Sequence, residues 1–107
     1  MSTERRRLDA AELEIALRPL PGWTIENGKL HRVWRFADFV EAFGFMSSAA
    51  LFAHEMDHHP DWSNVYATVT ADLSTHDAGG ITGLDFELAR RMEELARRRG
   101  ANAAPAP

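Results

Sequence analysis

Hydrophobic positions along this chain follow two different periods. From residue 65 to 73, Val65, Ala67, Val69, Ala71 and Leu73 alternate with Tyr66, Thr68, Thr70 and Asp72, the period of two that marks a half-buried strand. Further on the period is helical: Leu84, Leu88, Met92 and Leu95 form one stripe, and Gly100 ends it after an Arg triplet. The most apolar stretch precedes both. Phe39, Phe43, Met46, Ala50 and Ala53 share one helical face, and Phe45, Ala49, Phe52 and Met56 share an adjoining one. Together they cover about half the circumference, more than the roughly 100° stripe that a helix on one sheet requires. The surplus predicts cover by the other helices or by a second subunit.

Cap and turn residues delimit these elements. Asp9-x-x-Glu12, Asp38-x-x-Glu41 and Thr82-x-x-Asp85 each place a capping oxygen before a side chain able to reach back to the cap amide. The first helix is short, ending before Pro19 and Pro21. Residues 22–25 and 30–36 flank Asn27-Gly28, a two-residue hairpin signal. A shorter extended piece around Trp62 leads to the long strand by a turn at Ser63-Asn64. The predicted fold is α+β in the order α-β-β-α-β-β-α, a four-stranded antiparallel sheet with three helices on one face. Residues 1–100 are read as a single domain and 101–107 as a disordered tail.

Composition mainly excludes. The 107 residues are 45% hydrophobic and 26% charged, with a net charge of −4, values of an ordinary soluble domain with no basic footprint for nucleic acid. The triplets Arg5-Arg6-Arg7 and Arg97-Arg98-Arg99 read as a solvated arm and a helix C-terminus that favours cations. Without cysteine there are no disulfides or thiolate metal ligands. The apolar segment 36–56 is broken by Asp38, Glu41, Ser47, Ser48, His54 and Glu55, which rules it out as a membrane span. No secretory pattern opens the chain, so a cytoplasmic protein is expected.

Candidate chemistry concentrates in His54-Glu55-Met56-Asp57-His58-His59, which holds three of the five histidines. Pro60 disfavours helical backbone at His59, so the middle helix is expected to end near Asp57 or His58 and to display His58 and His59 there. The strand alternation, carried past Leu73, puts His76 on the polar side with Ser74. Three histidines are then expected to meet at the rim of the sheet, which suits acid-base chemistry on a small polar molecule without a nucleophile. His31 reads as structural, and Asp85 as the capping partner of Thr82. The same stretch also spells H-E-x-x-H, with His54 and His58 as zinc ligands and Glu55 as base. The extended zinc signature needs Gly and His where this chain has Asp61 and Asn64, and nothing singles out a third ligand. The metalloprotease reading is set aside.

His58-His59-Pro60, five residues and Tyr66, nine more and His76, eight more and Asp85 resemble the signature of the pterin-4a-carbinolamine dehydratases. The likeness runs through Gly22-Trp23, Phe43-Gly44-Phe45-Met46, Asn64-Val65-Tyr66 and Leu73-Ser74-Thr75-His76. It implies a hydro-lyase that removes water from 4a-hydroxytetrahydropterin to give quinonoid dihydropterin, recycling the cofactor of aromatic amino acid hydroxylases. It also implies a catalytic set of His58, His59 and His76, with His58 and His76 as the proton-transfer pair. Asp57, Ser74, Thr75 and Asp77 match the segments that hold the pterin, and no metal or organic cofactor is implied. Family members often carry Glu four residues before the first histidine, whereas this chain has His54, a substitute able to hydrogen-bond the pterin. The implied partners are a pterin and further copies of the chain, as a homodimer or dimer of dimers, with no nucleic acid or membrane. The alternative is a non-catalytic binding, assembly or coactivator protein on the same fold, a role for which relatives can dispense with the histidines kept here.

Overall fold

Helical and extended segments fall in the expected order in the computed structural model, which describes residues 5–102. They are α1 (Ala10–Leu17), β1 (Thr24–Glu26), β2 (Lys29–Arg35), α2 (Phe39–Glu55), β3 (Asp61–Val65), β4 (Thr68–Leu73) and α3 (Gly83–Arg98), with a 3₁₀ turn at His76–Ala78. The strands form one antiparallel sheet in the order β1-β2-β4-β3, and the fold is α+β. Among the described residues, no helix is long and apolar enough to cross a membrane.

Alternation on the strands decides where the core lies. Leu30 and Trp34 of β2, with Val69, Ala71 and Leu73 of β4, are buried beneath the helices. From above, α2 brings Ala42, Phe45, Ala49 and Ala53, and α3 brings Phe86, Leu88, Ala89, Met92 and Ala96. Leu13, Ala16 and Leu17 of α1 pack at the margin of the same core. Trp34 lies edge-on to Trp23 (centroids 5.5 Å apart) and tilted on Phe45 (4.8 Å), contacts worth about 0.5–1.5 kcal/mol each beyond area burial. Both indoles donate to Glu93, which also holds Arg32 by two hydrogen bonds of 2.9 and 3.0 Å.

The cap chemistry accounts for the helix entries. Asp9/Glu12 and Thr82/Asp85 form reciprocal capping boxes. At Asp38 only half of the box forms, because Glu41 turns its carboxylate to Arg99 at 3.1 Å. Asn27 (φ 53°) and Gly28 (φ 75°) supply the two positive φ angles of the hairpin turn.

At four places the structure departs from these expectations or sharpens them. The turn between β3 and β4 is at Tyr66-Ala67, with Ser63 and Asn64 inside β3; the Asn64 amide closes it by donating to the carbonyls of Tyr66 and Thr68. On α2 only the stripe of Ala42, Phe45, Ala49 and Ala53 is buried, leaving Phe39, Phe43 and Leu51 exposed at 50%, 55% and 74%. Leu95 on α3 is only partly buried, and Ala96 takes the core position. Of the expected tail, Asn102 is held on the end of β2 by two hydrogen bonds to the Arg35 backbone, at 2.7 and 2.8 Å; residues 103–107 lie outside the described residues.

Candidate active site

The site begins with how α2 stops. Its last helical residue is Glu55, so the helix ends before Asp57, short of the expected boundary. The Asp57 amide donates to the His54 carbonyl at 3.1 Å and the His58 amide to that of Ala53 at 3.0 Å, with Asp57 left-handed at φ 51°. That is a Schellman closure, normally built on glycine, and α3 closes the same way on Gly100. An aspartate in the glycine slot stores backbone strain, which clusters at functional sites. The reversal takes His58 off the helix and buries it to 7% exposure. His54 and His58 therefore do not form the one-face pair of the zinc motif.

A buried imidazole requires a polar partner, and Asp85 supplies it. His58 Nε2 lies 2.5 Å from Asp85 Oδ1. The Thr75 hydroxyl and the Thr82 amide donate to Oδ2, both at 2.9 Å, and Asp85 itself is wholly buried. Further back, Thr75 and Thr82 hydroxyls are 2.7 Å apart, and the Leu84 amide donates to Thr82 Oγ1. Every donor in this chain leads towards the Asp85 carboxylate, the pattern that an acceptor-only ionised group imposes. His58 consequently carries its proton on Nε2. No hydrogen bond uses Nδ1, and no buried side-chain nitrogen or oxygen among the described residues lacks a partner. Nδ1 is thus the ring atom open to the outside.

Asp85 bonds both His58 and Thr75, so His76 follows directly on the residue that shares His58's carboxylate. His76 itself is exposed and opens the 3₁₀ turn, not a continuing strand. Strand pairing stops at Leu73 because Thr75 bridges to Gly80 instead. His59 is exposed, its ring centroid 6.4 Å from that of His54 on the last turn of α2.

Among the expected substrate-binding residues, Asp57 and Asp77 are exposed and Ser74 is half-buried. Asp77 lies 3.5 Å from Arg5. Thr75 is 1% exposed, and its hydroxyl is hydrogen-bonded to Asp85 and Thr82, so its side chain orients the carboxylate. A depression of about 240 Å³ is lined by Ser74, Thr75 and His76 with the β1–β2 hairpin, and its lining includes neither His58 nor His59. Sequence reasoning places Asp85 in the family signature and gives it the capping role, but misses its bond to His58. The residue caps α3 as expected, and the same carboxylate fixes His58. The available signal is its place on the stripe of Leu88, Ala89 and Met92, a carboxylate on a core-facing helix face.

Residues 6–95 match the family described as Pterin 4 alpha carbinolamine dehydratase. A protein of Solibacter usitatus provisionally named pterin-4-alpha-carbinolamine dehydratase is 57% identical over 90 residues, covering 84% of this chain and 95% of its own. One of Rhizobium leguminosarum bv. trifolii, named likewise, is 49% identical over 96 residues, covering 88% and 95%. The crystal structure of a Brucella melitensis protein described as a transcriptional coactivator/pterin dehydratase has a TM-score of 0.82 and 45% identity, covering 85% of this chain and 99% of that one. Common architecture and sequence identity of this extent lead to one conclusion: the chain belongs to the pterin-4-alpha-carbinolamine dehydratase family.

Proposed function

We propose that this protein is a 4a-hydroxytetrahydropterin dehydratase working by histidine acid-base catalysis. The observation that carries the reading is the buried His58–Asp85 pair, which fixes one tautomer and leaves Nδ1 as an accessible proton-transfer atom. Elimination needs two transfers. An acid gives a proton to the departing 4a-hydroxyl, which leaves as water, and a base removes the N5 proton as the C4a–N5 double bond forms. His58 and His76 serve these two ends, each supplying the 10²–10⁴-fold typical of a positioned proton-transfer group. His59 assists, with His54 beside it, while Asp57, Ser74 and Asp77 bind the pterin. The chemistry uses no cofactor.

The natural state we propose is a homodimer or dimer of dimers in the cytoplasm. Phe39, Val40, Phe43 and Leu51 on the outer face of α2, with Val65 and Tyr66 at the end of the edge strand β3, support self-association. The same α2 face supports the second reading, a coactivator-type binding role like that in the description of the Brucella melitensis relative. A kinetic assay separates the two. The purified protein accelerates decay of chemically generated 4a-hydroxytetrahydropterin if it is a dehydratase; an unchanged decay rate leaves only the binding role.

A further inference from the structure

We propose that residues 5–8, the arm ahead of α1, form a strap that holds the His76 turn in its reacting position, with Arg7 as a positioning residue acting through Gly80. This rests on the dehydratase reading and adds to it what orients the second proton-transfer group. The His76 imidazole is exposed and takes no hydrogen bond or ion pair from any described residue, whereas His58 is fixed by Asp85. A proton-transfer group works only when held close to its productive geometry. The backbone of the turn must therefore supply for His76 what a carboxylate supplies for His58. That backbone is poorly suited to the task alone. It passes through Gly79 at φ 71° into Gly80, and glycine has the most conformational freedom to lose. The amides of Ala78 and Gly79 bond back to Thr75 and His76, which shapes the turn without tying it to the rest of the molecule. Two hydrogen bonds between Thr75 and Gly80 close its base, one at 2.8 Å and one at 3.4 Å, long for an amide.

The arm meets this turn at three points. The Leu8 amide donates to the Ile81 carbonyl at 2.9 Å, directly after the base of the loop. The Arg7 stem lies on Gly80 so closely that a Cβ there would stand 2.6 Å from Cδ and 3.0 Å from Cγ. Arg5 lies 3.5 Å from Asp77, an exposed pair that contributes little. Arg6, between them, turns the other way to Glu12 on α1. Both ends of the strap are anchored: Leu8 packs at the margin of the core and Asp9 caps α1, while Ile81 and Thr82 are buried. The seat at Gly80 is made by methylenes, so it depends on the length of the Arg7 side chain and not on its charge. A side chain at position 80 would collide with that stem, which gives the second glycine of the turn its reason. The N-terminal arginines thus do more than form a solvated arm.

The test combines decay of 4a-hydroxytetrahydropterin with hydrogen exchange of the turn amides by NMR, both on the full chain. Arg7→Ala should lower kcat about tenfold and change KM by less than about twofold. Arg7→Lys and Arg7→Met keep the stem and should each restore most of the rate. The Gly79 and Gly80 amides, bonded within the loop, should exchange about threefold faster or more in Arg7→Ala and at the native rate in Arg7→Met. Because the strap acts through His76, Arg7→Ala should leave the residual rate of a His76→Ala protein unchanged. A wild-type kcat in Arg7→Ala, or an equal loss in the His76→Ala background, overturns the assignment. Rescue by Arg7→Lys alone assigns the effect to charge and overturns it as well. Failure of the dehydratase reading is seen separately, as wild type that does not accelerate the decay. The exchange rates then still decide the strap, and unchanged exchange in Arg7→Ala overturns it.

Discussion

Replacing Asp85 by asparagine changes one oxygen to nitrogen in a fully buried group, with effects on stability, tautomer and turnover. The carboxylate accepts from His58 Nε2, Thr75 Oγ1 and the Thr82 amide. The amide of Asp85→Asn satisfies most donors by keeping its oxygen towards Thr75 and Thr82 and turning its NH₂ to His58. Two charge-assisted bonds then become neutral ones, a loss of about 1 kcal/mol each, so the fold should lose about 2 kcal/mol, or roughly 10 °C in melting temperature. Meanwhile His58 must present a lone pair at Nε2 and move its proton to Nδ1. The accessible atom then has the wrong protonation state, and kcat/KM should fall by about 10²–10⁴. Calorimetry, the decay assay and ¹⁵N-resolved NMR of the His58 ring measure the three effects. Glu12→Gln is the control, since Glu12 holds the equivalent capping position in α1 and its loss should leave turnover unchanged. An Asp85→Asn protein with the native His58 tautomer and activity within about threefold of wild type would reduce Asp85 to a helix cap and refute the reasoning.

Other perturbations separate fold from function in different ways. Asp57→Gly relieves a left-handed residue at φ 51°, so it should raise stability by up to about 1 kcal/mol while weakening pterin affinity; a gain in both would remove Asp57 from the site. Burial pushes the Glu93 carboxyl up, but the hydrogen bonds and charge of Arg32, with the Trp23 and Trp34 indoles, outweigh it and hold it below its ordinary 4.5. A depressed carboxylate stabilises the fold above that ordinary value and loses its contribution as pH falls below it. Glu93→Gln should therefore lower stability at neutral pH by about 2 kcal/mol, with the gap to wild type closing below pH 4.5 in acid-unfolding curves; a constant gap would contradict this. Phe43→Glu places a charge on the exposed α2 face, and light scattering should show it reducing an oligomer to the 12.0 kDa monomer; an unchanged mass would move the interface elsewhere.

Local chemistry makes most of the fold legible. Asn27-Gly28 specifies its hairpin through two positive φ angles, and three capping side chains mark three helix starts, because each acts within four residues. The end of α2 lacks such a mark. Pro60 sets a limit, but the actual stop is a left-handed Asp57, where no glycine advertises it. Which arc of α2 is buried is also hidden, since Phe39 and Phe43 are as apolar as Phe45 and only the sheet beneath chooses between them. In the site, His58, His59 and His76 stand out by type and spacing, whereas the His58–Asp85 bond spans 27 positions and has no local signature. Thr75 is different, because its placement is readable. The alternation that buries Val69, Ala71 and Leu73 sends Thr75 inward as well, to a place where its hydroxyl reaches Asp85 and Thr82.

The proposed dehydration rests on His58 and His76 transferring the two protons. Rapid-mixing decay of 4a-hydroxytetrahydropterin tests that directly, with wild type, His58→Ala, His76→Ala and the double variant, each checked for folding by circular dichroism. Each single change should cost about 10²-fold or more. The double variant should lose less than the product of the two, because the histidines act as a unit. His76→Ala should melt close to wild type, as an exposed residue, whereas His58→Ala is destabilised by the unpaired Asp85. Near-wild-type rates in folded His58→Ala and His76→Ala proteins would contradict the assignment of both histidines.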